Sequence, residues 1–364
     1  MSELCFKSKD WKREPMKDKI KRLIKKNPRV YKWASVSYKT SKMLFGRKNG
    51  KWNYFKCMYS ATIGLDKSLG HPILLTIEPT NICDHRCPVC ETGSGILGRK
   101  KRMTNFDEFK YILDQFDNNL RELMFYFMGE PFLNKDAYKM IRYATDKGIY
   151  VSSCTNGVKV EPKELVESSI SEVSFQLGGM TQKTHEKYRV GGNLAKLLKN
   201  LEETIEWKER LNKDHLKVIA GFILMKHNED EINDFISYTK KVGVDEYQVI
   251  DSCVRTVEQG KEFLPSDKTH WIYDEKEFKK GNLISKVRPN NYCEWIYFTV
   301  TIQVNGDVVP CCRDPHGRII LGNVFKENIY NIWNNEKYRK LRKAVTTRQR
   351  ELELCRLCPG YGAP

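Results

Sequence analysis

Residues 77 to 93 read IEPTNICDHRCPVCETG and place Cys83, Cys87 and Cys90 in a C-x3-C-x2-C spacing directly after a short β-like run, Ile73 to Ile77. Three thiolates on one tight loop suit three irons of a cubane cluster and leave the fourth iron without a protein ligand. Zinc favours two cysteine pairs or a histidine among four ligands, and a disulfide framework belongs to secreted chains. An iron with an open position can bind a small molecule and pass it an electron. A zinc or purely structural loop is the competing reading. The loop is the first candidate for an active site.

Outward from this stretch, strand-like and helix-like segments alternate. Candidate strands are Ile73–Ile77, Leu123–Phe127, Tyr150–Cys154, Glu172–Leu177, Val218–Leu224 and Tyr247–Ile250. Amphipathic helices are expected near Phe106–Phe116, Ala137–Lys147, Pro162–Ser169, Leu194–Leu211 and Glu231–Val242, with Thr104 as the N-cap of the first. Six βα units in order predict an α/β fold with a parallel sheet, doubly wound or curled into part of a barrel. Functional groups then belong on the loops that leave the C-terminal strand ends, where the cysteine loop lies. Residues 254 to 290 are polar and strand-poor and read as a linker with a short helix. Tyr297 to Pro310 then alternates around Asn305-Gly306, a hairpin signal, and a helix carries Ile329, Ile332, Trp333 and Leu341.

The chain has 364 residues and a net charge of +17. Residues 1 to 60 hold 18 Lys and Arg against four acids, so +14 of that charge lies on this arm. Its bases interleave with Trp11, Tyr31, Trp33 and Trp52, the composition of a helix on an anionic membrane surface, of a nucleic-acid-binding arm, or of a solvated extension. No stretch reaches the roughly 18 to 20 apolar residues of a membrane span, and the N-terminus lacks the apolar core of a signal peptide. A cytoplasmic protein, peripheral to the membrane if the arm binds lipid, is expected. Twelve cysteines in such a chain point to metal, with Cys5, Cys57 and Cys154 read as inert buried thiols.

The cysteine spacing, with Glu-Pro-Thr-Asn before it, resembles the cluster loop of the radical S-adenosylmethionine (SAM) enzymes, and the likeness runs over roughly residues 70 to 360. It implies a partial (β/α)6 TIM-like barrel, a SAM-binding 4Fe-4S cluster and SAM as cofactors, and a flavodoxin- or ferredoxin-type electron donor. Met128-Gly129-Glu130-Pro131 is similar to the family's Gly-Gly-Glu-Pro turn, which takes the SAM ammonium. Thr155-Asn156-Gly157 is similar to the turn beside the ribose. Gln176 stands at the head of Gln-Leu-Gly-Gly, where many relatives have Ser-Leu-Asp-Gly. Arg189 is similar to the arginine that pairs with the SAM carboxylate, and Val89 replaces an aromatic residue that packs on adenine.

Cys293, Cys311, Cys312, Cys355 and Cys358 form a second set, C-x12-G-x4-C followed by C-x2-C. The set resembles the auxiliary-cluster extension called SPASM, or twitch in its short form. Cys293, Cys311, Cys355 and Cys358 complete the ligands of one auxiliary 4Fe-4S cluster, with Cys312 a spectator; a zinc ribbon is the alternative. The expected domains are a basic aromatic-rich extension (1–66), a radical SAM core (67–252), a linker (253–290) and an auxiliary-cluster domain of β-hairpin plus helix (291–364).

The resemblance implies reductive cleavage of SAM to a 5′-deoxyadenosyl radical that abstracts hydrogen from substrate. A fully ligated auxiliary cluster has no free iron for substrate and suits electron acceptance, so the expected outcome is a net oxidation by a dehydrogenase-like oxidoreductase. Peptide modification, epimerisation with Cys253 as hydrogen donor, and RNA modification are the neighbouring outcomes. A zinc- or cluster-bearing nucleic-acid-binding protein is the non-enzyme alternative.

Overall fold

The computed structural model describes residues 50–116 and 118–358, and the chain from Trp52 onward forms one compact unit. Most of the basic arm, with Cys5, lies outside the described residues. The expected boundary at residue 66 moves: helix α1 (Lys51–Ile63) buries Tyr54, Cys57, Ser60 and Ala61. Cys57 donates to the His71 carbonyl at 3.1 Å, and the Tyr54 ring meets Phe298 edge-on at 5.3 Å. The apolar positions recur at three- to four-residue spacing, so α1 belongs to the body rather than to the appendage.

Six parallel strands follow in chain order: β1 (Leu74–Ile77), β2 (Glu122–Met124), β3 (Tyr150–Thr155), β4 (Glu172–Leu177), β5 (Lys217–Leu224) and β6 (Glu246–Asp251). Each pairs with its sequence neighbour, which puts every C-terminal strand end on one side. Leu74–Ile77 is buried throughout, as a strand covered on both faces should be. The predicted helices form with ends shifted by one to two residues. The first, Phe106–Asp114, is capped by Asn105 rather than Thr104: Asn105 accepts from the Glu108 amide and Glu108 accepts back from the Asn105 amide, at 2.9 and 3.1 Å. Thr104 instead donates to the Glu78 carbonyl at 3.1 Å. The helix Gln182–Tyr188, absent from the sequence reading, delivers Arg189 at its C-cap.

The C-terminal region differs from a separate hairpin domain. Strand β7 (Thr299–Ile302) pairs in parallel with β1, so it extends the main sheet, and β8 (Asp307–Val309) and β9 (Gly322–Asn323) add antiparallel. The turn is where Asn305-Gly306 predicted it, with Gly306 at φ +84°, but Tyr297 lies in the short helix Trp295–Phe298. The helix expected after it is two, Ile329–Trp333 and Glu336–Arg348, because Asn334 ends the first and Asn335 caps the second through the Tyr338 amide at 2.9 Å. Residues 254 to 290 are not a loose linker. They form helices Val257–Phe263 and Glu275–Lys279 and bury Val254, Phe263, Leu264, Ile272, Tyr273 and Leu283 against Cys87, Val89 and Tyr188. Spaced apolar residues in a polar stretch hid this packing. Among the described residues no helix is long and apolar enough to cross a membrane.

Candidate active site

The cysteine loop leaves the C-terminal end of β1 and is tied down by backbone. Asn81 bridges to Lys100 and Arg102 at 2.9 and 2.8 Å, Arg86 N–H donates to the Val190 carbonyl at 2.9 Å, and Glu130 N–H donates to Ile82 at 2.9 Å. The Cys87 thiol lies within electrostatic range of both Cys83 and Cys90. Burial pushes the Cys83 thiol up to about 12 and raises that of Cys87, so neither ionises readily alone. The His85 amide points at the Cys83 sulfur at 3.4 Å, and Arg189 Nη1 stands 3.9 Å from the Cys87 sulfur. Buried thiols that meet N–H donors and a guanidinium fit a metal that takes the place of their protons.

A mixed ligand set also occurs here, since Cys83, Asp84 and His85 place their donor atoms within 4.8 Å. It is already engaged: Asp84 Oδ1 and His85 Nδ1 are 3.1 Å apart, and Asn156 Nδ2 contacts them at 2.7 and 3.0 Å. This link between the first and third strand loops had no sequence signal beyond the residues themselves.

The Gly129 turn follows β2 with φ +78°, and a Cβ there would sit 2.4 Å from the Thr80 carbonyl oxygen. Only glycine lets the two loops touch. Met128 beside it is half-buried, and Pro131 begins a short 3-10 turn. Glu130 is buried without a cation; it accepts from Thr155 Oγ1 at 2.7 Å, the Asn156 amide at 2.8 Å and the Phe132 amide at 3.3 Å. Burial raises its carboxyl to about 7 against the pull of these donors. Gln176 donates to Ser174 at 2.7 Å and lies over Gly221. Gly178 makes room for the Arg189 stem, since a Cβ there would meet Arg189 Cγ at 2.9 Å. Arg189 Nε and His85 Nε2 are buried without hydrogen-bond partners among the described residues, an unfilled polar cradle beside the cysteine loop. Val89 is buried in the apolar cluster with Tyr188 and Val254.

Cys293, Cys311 and the Cys355–Cys358 pair converge from three places in the C-terminal region. The Cys293 and Cys358 thiols are in electrostatic range of each other and of both Cys311 and Cys355, and burial pushes Cys293 up to about 12, Cys355 up to about 11, and Cys311 upward. The Ile296 and Trp295 amides donate to the Cys293 sulfur and the Arg313 amide to Cys311. An all-thiol set with backbone N–H donors fits a four-iron cluster. Cys312 is the exposed neighbour.

Cys253 emerges after β6 and, like Cys90, packs against the apolar cluster that contains Cys87. It is also in range of Cys312, Arg313 and Tyr273, so it lies within reach of both cysteine sets. Arg255, two residues on, donates to Glu91 at 2.8 Å, and Glu91 directly follows Cys90. Arg255 did not stand out in sequence, because no spacing rule marks a residue that pairs across the chain. Cys154, within β3, is in contact with Tyr126 and carries a thiol that burial raises to about 12.

Comparison with known proteins matches residues 77–239 to the radical SAM superfamily and residues 293–359 to SPASM, an iron-sulfur cluster-binding domain. The chain is similar to the AdoMet-dependent heme synthase of Methanosarcina barkeri, 26% identical over 308 residues, covering 74% of this chain and 85% of the relative. It is similar to the mycofactocin maturase MftC of Mycolicibacterium smegmatis, 24% identical over 302 residues, with 76% and 74% covered. Its fold is like that of Streptococcus suis SuiB bound to S-adenosylmethionine, TM-score 0.57 at 16% identity, with 86% and 77% covered.

Proposed function

The chain belongs to the radical SAM superfamily and carries a C-terminal SPASM domain, and on that premise we propose that it is an oxidoreductase. Two 4Fe-4S clusters and SAM, once bound, supply a 5′-deoxyadenosyl radical and an acceptor for the electron left on substrate. Cys83, Cys87 and Cys90 hold the first cluster. Met128 to Pro131, Thr155, Asn156, Gln176 and Arg189 orient SAM, with Val89 on the adenine side. Cys293, Cys311, Cys355 and Cys358 hold the auxiliary cluster, and a flavodoxin- or ferredoxin-type protein reduces the enzyme.

The observation that supports oxidation is the convergence of four thiols, Cys355 buried and the other three half-buried, a complete set that leaves no iron position for substrate. The test is Cys358→Ala in reconstituted enzyme. It should still release 5′-deoxyadenosine from SAM and no longer form oxidised product; wild-type product yield would overturn the acceptor role. Cys253 is the candidate hydrogen donor for epimerisation. Loss of solvent deuterium from product in Cys253→Ala would favour that outcome over dehydrogenation.

A second reading is peptide modification, supported by the likeness to a mycofactocin maturase. It keeps the same cofactor residues and changes the substrate.

The arm adds a surface. On α1, Trp52, Phe55, Tyr59 and Ile63 form an exposed stripe beside a strongly basic sequence, which supports docking on an anionic lipid bilayer over nucleic acid.

A further inference from the structure

Two buried imidazoles meet beside the cysteine loop. His85 lies in that loop, and His185 lies in the helix Gln182–Tyr188 that carries Arg189 at its C-cap. Among the described residues neither Nε2 has a hydrogen-bond partner. The two atoms face one point: a Cβ on Gly192 would stand 2.8 Å from His185 Nε2 and 2.9 Å from His85 Nε2. A dry, unpaired polar atom is costly, and two at one spot need a reason.

The partners of the other ring nitrogens fix where the protons sit. His85 Nδ1 lies 3.1 Å from Asp84 Oδ1, and a carboxylate only accepts, so the proton is on Nδ1 and Nε2 is a bare acceptor. Asn156, its Oδ1 held by the Val158 amide at 3.0 Å, gives its own N–H to the same Asp84 oxygen at 2.7 Å. His185 Nδ1 accepts from the Gly178 amide at 3.3 Å, so the His185 proton is on Nε2. Burial and the nearby Arg189 charge push His185 down to about 3, which keeps the ring neutral with that single proton. A donor thus faces an acceptor across Gly192. The His185 end of this chain touches Arg189 twice: its carbonyl accepts the Arg189 amide at 2.9 Å, and Gly178, which it holds, is the residue that leaves room for the Arg189 stem.

We propose that His85 and His185 are a positioning pair, joined through the His185 Nε2 proton, which pins the helix Gln182–Tyr188 to the cysteine loop and so aims the Arg189 guanidinium at the SAM carboxylate. This rests on the reading of Arg189 as the partner of that carboxylate and names what holds it in place. The chain runs from Asp84 through His85 and His185 to the Gly178 amide, each link a donor meeting an acceptor. Neither histidine touches SAM in this role. The competing role is general packing, in which the rings only fill space.

Two ligands separate these roles: SAM, and decarboxylated SAM, which lacks the group that Arg189 would meet. Their affinities are measured by anaerobic calorimetry on enzyme loaded with iron and sulfide, without reductant, so that no SAM is cleaved. His185→Leu should weaken SAM about tenfold, the loss of one charge-assisted contact, and leave decarboxylated SAM unchanged. His185→Gln keeps a donor near the Nε2 position and should bind SAM as the wild type does. Gly192→Ala puts a methyl between the rings without altering either, and should reproduce the selective loss if His185→Leu fails to load iron. Arg189→Gln should show the same selectivity, and the double variant His185→Leu/Arg189→Gln should lose no more than Arg189→Gln alone. Equal weakening of both ligands would reduce the pair to packing and overturn the proposal. So would unchanged SAM affinity in His185→Leu, or a further tenfold loss in the double variant. An Arg189→Gln variant that does not discriminate the two ligands would show instead that the carboxylate reading of Arg189 is wrong, and the pair would fall with it.

Discussion

Arg99 grips Glu78 with both prongs, Nη1 to Oε2 at 2.7 Å and Nη2 to Oε1 at 2.6 Å, and Glu78 is completely buried. The same carboxylate accepts from the Val304 amide at 2.9 Å, while Arg99 Nε donates to the Pro315 carbonyl at 2.7 Å. Glu78 directly follows β1, just before the cysteine loop, and Val304 and Pro315 flank the β8 strand, so one ion pair fastens the two cysteine-bearing regions together. Removing one partner strands a buried charge, and Glu78→Gln or Arg99→Leu should lose about 3 kcal/mol in urea denaturation of the apoprotein. The double Leu variant should recover part of it. A loss below about 1 kcal/mol would rank the pair with solvent-screened surface bridges.

Metal content follows the two thiol sets. Anaerobic reconstitution should give about eight irons and eight sulfides per chain, and Cys83→Ala/Cys87→Ala/Cys90→Ala should lose about half, with SAM cleavage abolished. Iron and sulfide analysis with deoxyadenosine detection checks this. Zinc in place of iron, or deoxyadenosine from the triple variant, would sink the cluster assignment.

Glu130 sets a pH dependence with a definite sign. Its folded value, about 7, lies above the usual 4.5 because burial opposes ionisation. Such a carboxyl contributes stability fully below pH 4.5 and loses it as pH rises through 7, on the order of 3 kcal/mol at most. Glu130→Gln does not titrate, so wild-type stability relative to the variant should fall between pH 4.5 and 7 and then level off. Urea midpoints across that range measure it; a flat difference would mean that the hydrogen bonds from Thr155 and Asn156 offset burial.

The strands and most helices were legible because hydrophobic period and turn residues act locally. Gly129 and Gly306 were readable for the same reason, as turns that need positive φ. The three cysteines of the first loop announced themselves by spacing. What stayed hidden depends on contacts across the chain: β7 reads as half of a hairpin, and only its pairing with β1 reveals it as part of the main sheet. Cys57 looked like an inert thiol on an appendage, and its contact with His71 is what draws α1 into the body. Arg255 was one among 63 bases, distinguished only by its contact with Glu91 beside the cysteine loop.

The last prediction concerns α1. Its inward face is spent on Tyr54, Cys57, Ser60 and Ala61, while Trp52 and Ile63 are 68% and 58% exposed on the other side. Trp52 stacks on Phe55 at 5.4 Å and Phe55 on Tyr59 at 6.4 Å, a pre-ordered aromatic ridge. Aromatic side chains of this kind favour the headgroup boundary, and each nearby base adds about 1 kcal/mol on an anionic leaflet before screening. Truncation at residue 50 spares the packed face of α1, whereas a cut at 60 would unseat Cys57 from His71. Co-sedimentation with phosphatidylserine vesicles should therefore fall in two separable ways. Deleting residues 1–50 should remove the salt-sensitive part, which about 0.5 M salt also weakens in the intact protein. Replacing Trp52, Phe55, Tyr59 and Ile63 with Ser should remove a part that salt leaves alone. Cluster content and uncoupled SAM cleavage should survive both changes. Sedimentation equal to that of the intact protein would sink the membrane surface, and tight arm-dependent RNA retention on filters would move the partner to nucleic acid.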